Sequence, residues 1–540
     1  MPGARSRAQG RRRPAAGPPQ GDGSASSRRG SRADAASVGP TAADPALFRM
    51  GETVEVTIED VAQGGWCVAR PAGRPVMFVR HALPGERVVA RVTEVTSRFA
   101  RADAVDILIA SADRVPAPCP SARPGGCGGC DWQHAGLTAQ RALKAAVVAQ
   151  QLRRLAGIDL EVVVEPLPGD EPAEKELPGD EPAEKETPPR GAVPEPGAGE
   201  EMTAASGTAG TPGLGWRTRV QFAVRRDGVA GLRAHRSHEV VDIGDCLIAH
   251  RAIRDLNIPG SDWTGATMVE AAVGSALFGN AGAAQNEAVI VVEEASPAGG
   301  RGRPDDRGPD DRGAAERWGR GGGRRQQGRP RTRRILVEGR QYLTQYAAGK
   351  YWQVSAGAFW QVHPAAADVL SAAVLAALEP KPGDTVLDLY CGAGLFAGVI
   401  APLVGGEAGP EADGTGPGTG AVFGVESDAA AVKDARQNLS AYPWVRVHRA
   451  DVAQVIRDGD LPSAGLVVAD PPRTGLAREI VDYLAGDRSA ARFVYVSCDP
   501  ATLARDIALL VKGGWSLSSL RAFDAFPMTH HVECVALLTR

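Results

Sequence analysis

A chain of 540 residues exceeds what one hydrophobic core organises and reads as three or four domains of about 150 residues each. With 66 Gly and 40 Pro, near a fifth of the chain against a usual share of about 12%, it must contain unstructured segments, while hydrophobic residues at 43% exclude wholesale disorder. The 61 basic and 64 acidic residues almost cancel, a balance that conceals blocks of opposite sign. Apolar runs such as Val369–Leu378 are too short to span a membrane, so no membrane partner is expected.

Residues 1–47 carry eight Arg against three Asp without apolar periodicity and read as a disordered basic arm. No apolar run follows the arginines, so the arm is not a secretory leader, and a cytoplasmic location is expected. Eight Cys in that setting argue against a disulfide framework and point to metal, redox, catalytic or plainly buried thiols. Over 48–113, alternation at Val54, Val56 and Ile58 and again at Val88, Ala90 and Val92, with a short strand at Val76–Val79 and Gly/Pro turns between them, predicts a small OB-like β-barrel. The text GGWCVARPAGRPVMFVRHALPGERV is similar to the TRAM domain of RNA-modifying enzymes.

A mixed middle domain over 114–355 opens with Cys119, Cys127 and Cys130 inside CPSARPGGCGGC. Glycines there let a backbone wrap closely around a bound group. A fourth thiol is needed, and Cys246 is the candidate, because Cys67, Cys391, Cys498 and Cys534 sit in the other two blocks. Four thiolates suit a [4Fe-4S] cluster or tetrahedral zinc, and spacing alone leaves both open. Arg217, Arg219 and Arg225 fall on polar positions of a strand-like stretch, either solvated or touching phosphate. Two disordered inserts interrupt this block: an acidic one at about 166–212, containing LPGDEPAEKE twice in tandem, and an Arg-rich one at 298–334 with twelve Arg. A Gly-rich loop follows at 405–420.

From about residue 356 the pattern is strand, Gly turn, helix, repeated. Thr385–Tyr390 is an apolar strand followed by CGAG and an apolar helix; further strands end at Glu426, Asp451, Asp470 and Cys498. Five strands with polar residues at their carboxyl ends describe one crevice of a doubly wound α/β sheet. The glycine spacing fits the GxGxxG dinucleotide fingerprint poorly, which favours S-adenosylmethionine over NAD. Cys498 precedes a helix with Pro500 in its first turn and Gly513 past its end, so a helix N-terminus is expected to lower its pKa toward thiolate. Glu533 enters the last strand at the same edge and is a candidate general base.

Together DLYCGAG, DPPRTG, SCDPATLARD and FPMTHHVE, with AFWQVHP upstream, resemble the S-adenosylmethionine-dependent RNA uracil-5-methyltransferases of bacterial tRNA and 23S rRNA. The resemblance covers all three folded blocks in that family's order and leaves out the arm and inserts. It implies a doubly wound Rossmann-like methyltransferase domain over 356–540, a probable [4Fe-4S] cluster on the four cysteines, an RNA partner (tRNA or 23S rRNA), and a monomer. By similarity Cys498 is the nucleophile and Glu533 the base, while Gln361, Tyr390, Glu426, Asp451 and Asp470 match cofactor-contacting positions. Two departures stand out: Leu395 and His363 occupy positions where Asn is common in that family, and each bears on cofactor or substrate contact.

Overall fold

The computed structural model describes residues 47–170, 211–275, 288–295, 332–405, 420–486 and 490–540. The basic arm up to residue 46 and most of the acidic, Arg-rich and Gly-rich inserts lie outside the described residues. Ala46–Arg540 forms one packed unit.

Six strands open the unit: β1 (Thr53–Thr57), β2 (Asp60–Ala62), β3 (Trp66–Ala69), β4 (Val76–Arg80), β5 (Arg87–Val95) and β6 (Phe99–Ile109). They form one barrel-type sheet in the order β1-β5-β6-β4-β3-β2, with β4 and β6 parallel and every other pair antiparallel. The alternation legible in the sequence is the inside–outside alternation of a half-buried strand: Val56, Ile58, Val88, Ala90 and Val92 all enter the core. Three register shifts between β5 and β6 bend the long strands, as bulges do.

Next comes α1 (Leu137–Gln151), continued by one π-turn, then β7 (Val164–Pro166). The middle sheet follows: β8 (Arg219–Val224), β9 (Ala230–Arg233), β10 (Val240–Val241), a short α2 (Arg251–Arg254), β11 (Ala266–Val273), β12 (Ala288–Ala295) and β13 (Thr332–Glu338). It is antiparallel in the order β10-β9-β8-β11-β12-β13. Arg219 and Arg334 both pair with buried Glu270, Arg219 from a largely buried position and Arg334 from the surface. Arg334 and the backbone of 332–333, which composition alone assigns to the Arg-rich insert, are part of a strand that pairs with β12, Thr332 lying opposite Ala295.

The hairpin β14 (Tyr342–Ala347) and β15 (Lys350–Ser355), then α3 (Ala366–Leu378), lead into β16 (Thr385–Leu389), α4 (Leu395–Val404), β17 (Ala421–Glu426), α5 (Ala429–Asn438), β18 (Val445–Arg449), α6 (Val452–Asp458), β19 (Leu466–Ala469), α7 (Arg478–Gly486), β20 (Arg492–Ser497), α8 (Pro500–Lys512), β21 (Ser516–Asp524) and β22 (Glu533–Thr539). Their sheet has the order β18-β17-β16-β19-β20-β22-β21-β7, parallel from β18 to β20, with β22 antiparallel. This is the expected doubly wound sheet. Strand order reverses beside β16, which makes its carboxyl end the switch point where such sheets bind ligands. Leu387, Val467 and Phe493 are wholly buried between the helical layers, each contributing roughly 1.5–3 kcal/mol of hydrophobic stabilisation.

Two segments cross the boundaries that composition suggests. β7 pairs with β21, Leu167 joins the methyltransferase-sheet core and Asp170 faces His363, so 166–170 is structured rather than insert. The β14–β15 hairpin packs Trp352 into the same core, ahead of residue 356. Among the described residues no helix is long and apolar enough to cross a membrane.

Candidate active site

The turn after β16 is shaped by backbone conformation. Tyr390 adopts φ 67° and Gly394 φ 92°. A left-handed conformation is costly for a tyrosine, and here two hydrogen bonds hold it, because Tyr390 and Cys391 both donate their N–H to Val425 O at 2.9 and 3.1 Å. Glu426, ending β17, accepts from Gly392 N at 3.1 Å with one oxygen and from Ser427 N and Asp428 N at 2.7 Å with the other. Asp451 caps α6 through Gln454 N at 3.0 Å. Asp470 follows β19 directly beside the Tyr390 turn, its N–H on Leu389 O at 3.3 Å. Gln361 is buried on a loop pinned by Thr218, whose N–H and hydroxyl both donate to Val362 O at 2.8 and 2.9 Å. All five expected cofactor positions thus belong to strand ends or loops at the switch-point side.

Sequence reasoning missed Asp388, although it lies in the quoted DLYCG. It is 1% exposed; Oδ2 accepts from Ala397 N at 2.8 Å, and Oδ1 has no partner among the described residues. Burial, aided by the charges of Asp470 and Glu426, pushes its pKa up to about 7. Asp470 is raised to about 7 by the protein packed around it. His363, flagged as a departure, turns to the protein instead: it faces Asp170 at 3.2 Å, accepts from Ala365 N at 3.2 Å and stacks on Trp216.

At the next position along the sheet stand the two reactive candidates. Ser497 pairs with Cys534 across β20 and β22, so the antiparallel register brings Cys498 opposite Glu533. Glu533 is 4% exposed; burial raises its pKa well above the usual carboxylate range, Asp470 raises it further and Arg473 opposes. The Cys498 thiol is pushed up to about 12, chiefly by burial and then by Glu533, against the pull of Arg473. The expected lowering by the helix N-terminus therefore does not occur. Burial outweighs it, and Asp499, which caps α8 by accepting from Ala501 N and Thr502 N at 3.0 and 2.9 Å, adds a smaller negative-charge contribution in the same upward direction.

Arg473, in the DPPR motif, is a second residue the sequence left unassigned. Its exposed guanidinium meets His531 Nε2 at 3.2 Å. Burial and the neighbouring His530 and Arg473 hold the His531 pKa near 2, so its ring is neutral and accepts from the arginine.

The second candidate centre lies in the middle domain. Cys119, Cys127, Cys130 and Cys246 all line one cavity of about 380 Å³. A bridge between Cys127 and Ala234, with Gly128 N on Arg233 O at 3.0 Å, fixes the triplet loop to the end of β9. Cys246 arrives because Gly215–Arg217 and Leu247–His250 exchange backbone bonds. Gly128 must be glycine, since an added Cβ would lie 2.5 Å from His235 N. Burial raises the pKa of Cys127, Cys130 and Cys246, and Arg217 counters this for Cys127 and Cys246. Among the described residues Arg217 has no carboxylate partner, so its charge faces thiols. The thiols surround the cavity without converging: among the described residues no three Cys, His, Asp or Glu side chains are drawn to a common metal-ion position.

A doubly wound sheet with carboxylates and one thiol along its switch-point edge, joined to an N-terminal barrel, defines a methyltransferase fold carrying an accessory domain. The family model of tRNA (uracil-5-)-methyltransferase matches residues 456–540, and that of the TRAM domain matches 48–105. An uncharacterized RNA methyltransferase of Streptomyces coelicolor is 43% identical, covering 94% of this chain and 97% of its own length. The 23S rRNA (uracil(1939)-C(5))-methyltransferase RlmD of Pseudomonas fluorescens is 30% identical over 90% of this chain and 94% of its own. The tRNA (uracil-54, C5)-methyltransferase of Pyrococcus abyssi, solved with S-adenosyl-L-homocysteine, has the same fold, with a TM-score of 0.55 at 20% identity over 90% of this chain and all of that one. The chain belongs to the RNA uracil-5-methyltransferase family.

Proposed function

We propose that this enzyme methylates carbon 5 of one uridine in tRNA or 23S rRNA, with Cys498 as nucleophile and Glu533 as base. The observation that carries the reading is the pairing of β20 with β22, which sets a thiol opposite a buried carboxylate at the edge of the crevice. Uracil carbon 5 is a weak nucleophile. Addition of Cys498 sulfur to carbon 6 gives an enolate with electron density at carbon 5, which then takes the methyl group. Glu533 removes the carbon 5 proton, the C6–S bond breaks, and the thiolate is released. The target base has to leave its stack to reach the thiol.

S-adenosylmethionine fits the crevice by charge. Asp388, Asp470 and Glu533 are held toward their neutral forms by burial and, for Asp388 and Glu533, by neighbouring negative charge, an environment that a cation relieves. The unpartnered Asp388 Oδ1 and the turn at Tyr390–Gly394 would meet the amino-acid end, and Glu426 the ribose. When bound it supplies an electrophilic methyl group on a sulfonium. The four cysteines line one cavity, and four thiolates are the donor set that holds a [4Fe-4S] cluster. Such a cluster would be held there, outside the chemical steps. A cytoplasmic location accords with free thiols and an RNA substrate.

The test uses the full chain, cofactor and 5-fluorouridine-substituted transcripts. Wild type should form a gel-stable RNA adduct and Cys498→Ala none. Glu533→Gln should slow methylation of ordinary RNA about 10²–10⁴-fold, the usual share of a general base, while retaining adduct formation. An adduct in Cys498→Ala sinks the assignment, and mapping 5-methyluridine by mass spectrometry in RNA from cells with and without the protein identifies the uridine.

A further inference from the structure

The barrel makes contacts that an RNA-holding module does not require. Its β2–β3 turn, Gln63–Gly64–Gly65, reaches two segments on either side of the reactive pair. On one side Gln63 Nε2 donates to Asp499 Oδ2 at 3.1 Å, and Asp499 is both the neighbour of Cys498 and the cap of α8. On the other, Gly65 packs on Asp131 so closely that an added Cβ would lie 2.8 Å from its Cβ and Cγ.

Asp131 is a junction. Its Oδ2 accepts from His530 N at 3.2 Å and lies 2.5 Å from His530 Nδ1, and its Oδ1 meets Arg80 of the barrel at 3.4 Å. Asp131 N and Trp132 N both donate to Met528 O, at 3.0 and 3.1 Å. Met528 is held at φ 68°, and its N–H donates to Gln140 at 2.7 Å. The segment so fixed runs from Met528 through His531, which orients Arg473, to Glu533. Arg80 and Asp131 are 6% and 5% exposed, so this network is sheltered from screening.

We propose that the β2–β3 turn of the barrel is an active-site clamp: Gln63 is a positioning residue for the cap beside Cys498, and Gly65, with Arg80, holds Asp131 and through it the loop that carries Glu533. The barrel thereby acts on chemistry as well as on RNA. The kinetic arm of this inference rests on the reaction proposed above; the thiol arm does not.

The experiment exchanges donor and acceptor at the Gln63–Asp499 contact in the full chain. Gln63→Glu sets two carboxylates against each other. Gln63→Glu with Asp499→Asn restores a hydrogen bond of opposite polarity and keeps a good helix cap, since Asn and Asp cap equally well. Three quantities are read: single-turnover methylation at saturating RNA and cofactor, RNA affinity, and the iodoacetamide alkylation rate of Cys498 in RNA-free protein, followed on its peptide by mass spectrometry. Gln63→Glu should slow the single turnover about tenfold, the order expected for sub-ångström misplacement of reacting groups. It should slow alkylation of Cys498 by about threefold or more through the added negative charge, with RNA affinity unchanged. The double variant should recover both rates. Loss of RNA affinity with an unchanged single-turnover rate, or alkylation identical to wild type, overturns the clamp. Absence of methylation in wild type would sink the proposed reaction, and the alkylation arm would still decide this inference.

Discussion

Replacing Asp388 by Asn should change the sign of its effect on stability between pH 4 and pH 8. The wild-type carboxyl has a folded-state pKa of about 7 against 3.8 for the free group. The folded form thus keeps a proton that the unfolded chain has already lost, so stability falls as pH rises from about 4 and reaches its full loss above about 7, a difference worth at most ~4 kcal/mol. Asn does not titrate. Its oxygen can still accept from Ala397 N, but an amide NH₂ with two donors then occupies the place of the unpartnered Oδ1, where the protonated acid carries one, and the additional unsatisfied buried donor costs roughly 1–3 kcal/mol. At pH 4 the variant should therefore be the less stable by about that amount, and at pH 8 the more stable by ~1–3 kcal/mol, the remainder of these two terms. Differential scanning calorimetry of the cofactor-free chain reads this as a midpoint difference of roughly 1 °C per kcal/mol for a unit of this size. Titration calorimetry in two buffers of different ionisation enthalpy should show wild type releasing a proton on binding S-adenosylmethionine at pH 6, and the variant releasing less. A midpoint difference that stays constant from pH 4 to pH 8 refutes the reasoning.

Three further outcomes are expected. Lys144, fully buried, pairs with Asp524 and donates to Phe526 O at 3.0 Å; Lys144→Met should destabilise by about 3–5 kcal/mol in thermal or denaturant melts, and adding Asp524→Leu should recover most of it, because the cost is a buried charge left alone. Anaerobically purified protein should be brown and hold about four iron per chain, with Cys246→Ser losing iron and visible absorption together; stoichiometric zinc without iron in wild type would contradict the cluster. The backbones of Ala295 and Thr332 are ladder partners, so a short Gly-Ser linker can replace 296–331; the saturated methylation rate should hold, while RNA affinity falls mainly at low salt as counterion release predicts.

The doubly wound sheet was legible because its strands are continuous apolar runs closed by polar or turn residues, and the runs ending at Leu389, Glu426 and Ala469 are the strands themselves. The four cysteines were legible as a set, although one lies over a hundred residues from the rest, because elimination by domain left only Cys246. Periodicity could not show that Val164–Pro166 adds a strand to a sheet formed by the chain's far end, or that residues 332–334 leave an Arg-rich text to pair with β12: three-residue segments carry no measurable period, and their partners are set by tertiary contact. The thiol of Cys498 was misjudged for a different reason. A helix N-terminus favours a thiolate, but burial of the thiol in the folded crevice, with Glu533 adding to it, outweighs that effect, and neither was visible in the text around SCDP. Gln63 gave no signal at all, since its role exists only once the barrel is folded against α8.

The protonation of the site bears on when the enzyme can act. Cys498 near pKa 12 and Glu533 well above the carboxylate range make a resting pair that is largely uncharged at neutral pH, facing one exposed cation, Arg473. On the reaction proposed above, neither group is reactive in that state: the thiol is a poor nucleophile and the acid cannot accept a proton. Both depend on added positive charge or on a partner for the displaced proton. S-adenosylmethionine, if held by Asp470, would bring a positive charge that favours the ionised forms of the buried carboxylates. Fixing Arg473 through neutral His531 keeps the protein's own cation aimed at the pair without burying it. In the resting enzyme burial therefore holds the Cys498 thiol toward its protonated form, the form less open to oxidation and alkylation. The loop carrying His531 and Glu533 is gripped by Asp131 from outside the methyltransferase sheet, and a shift of that loop would move Glu533 and release Arg473 together.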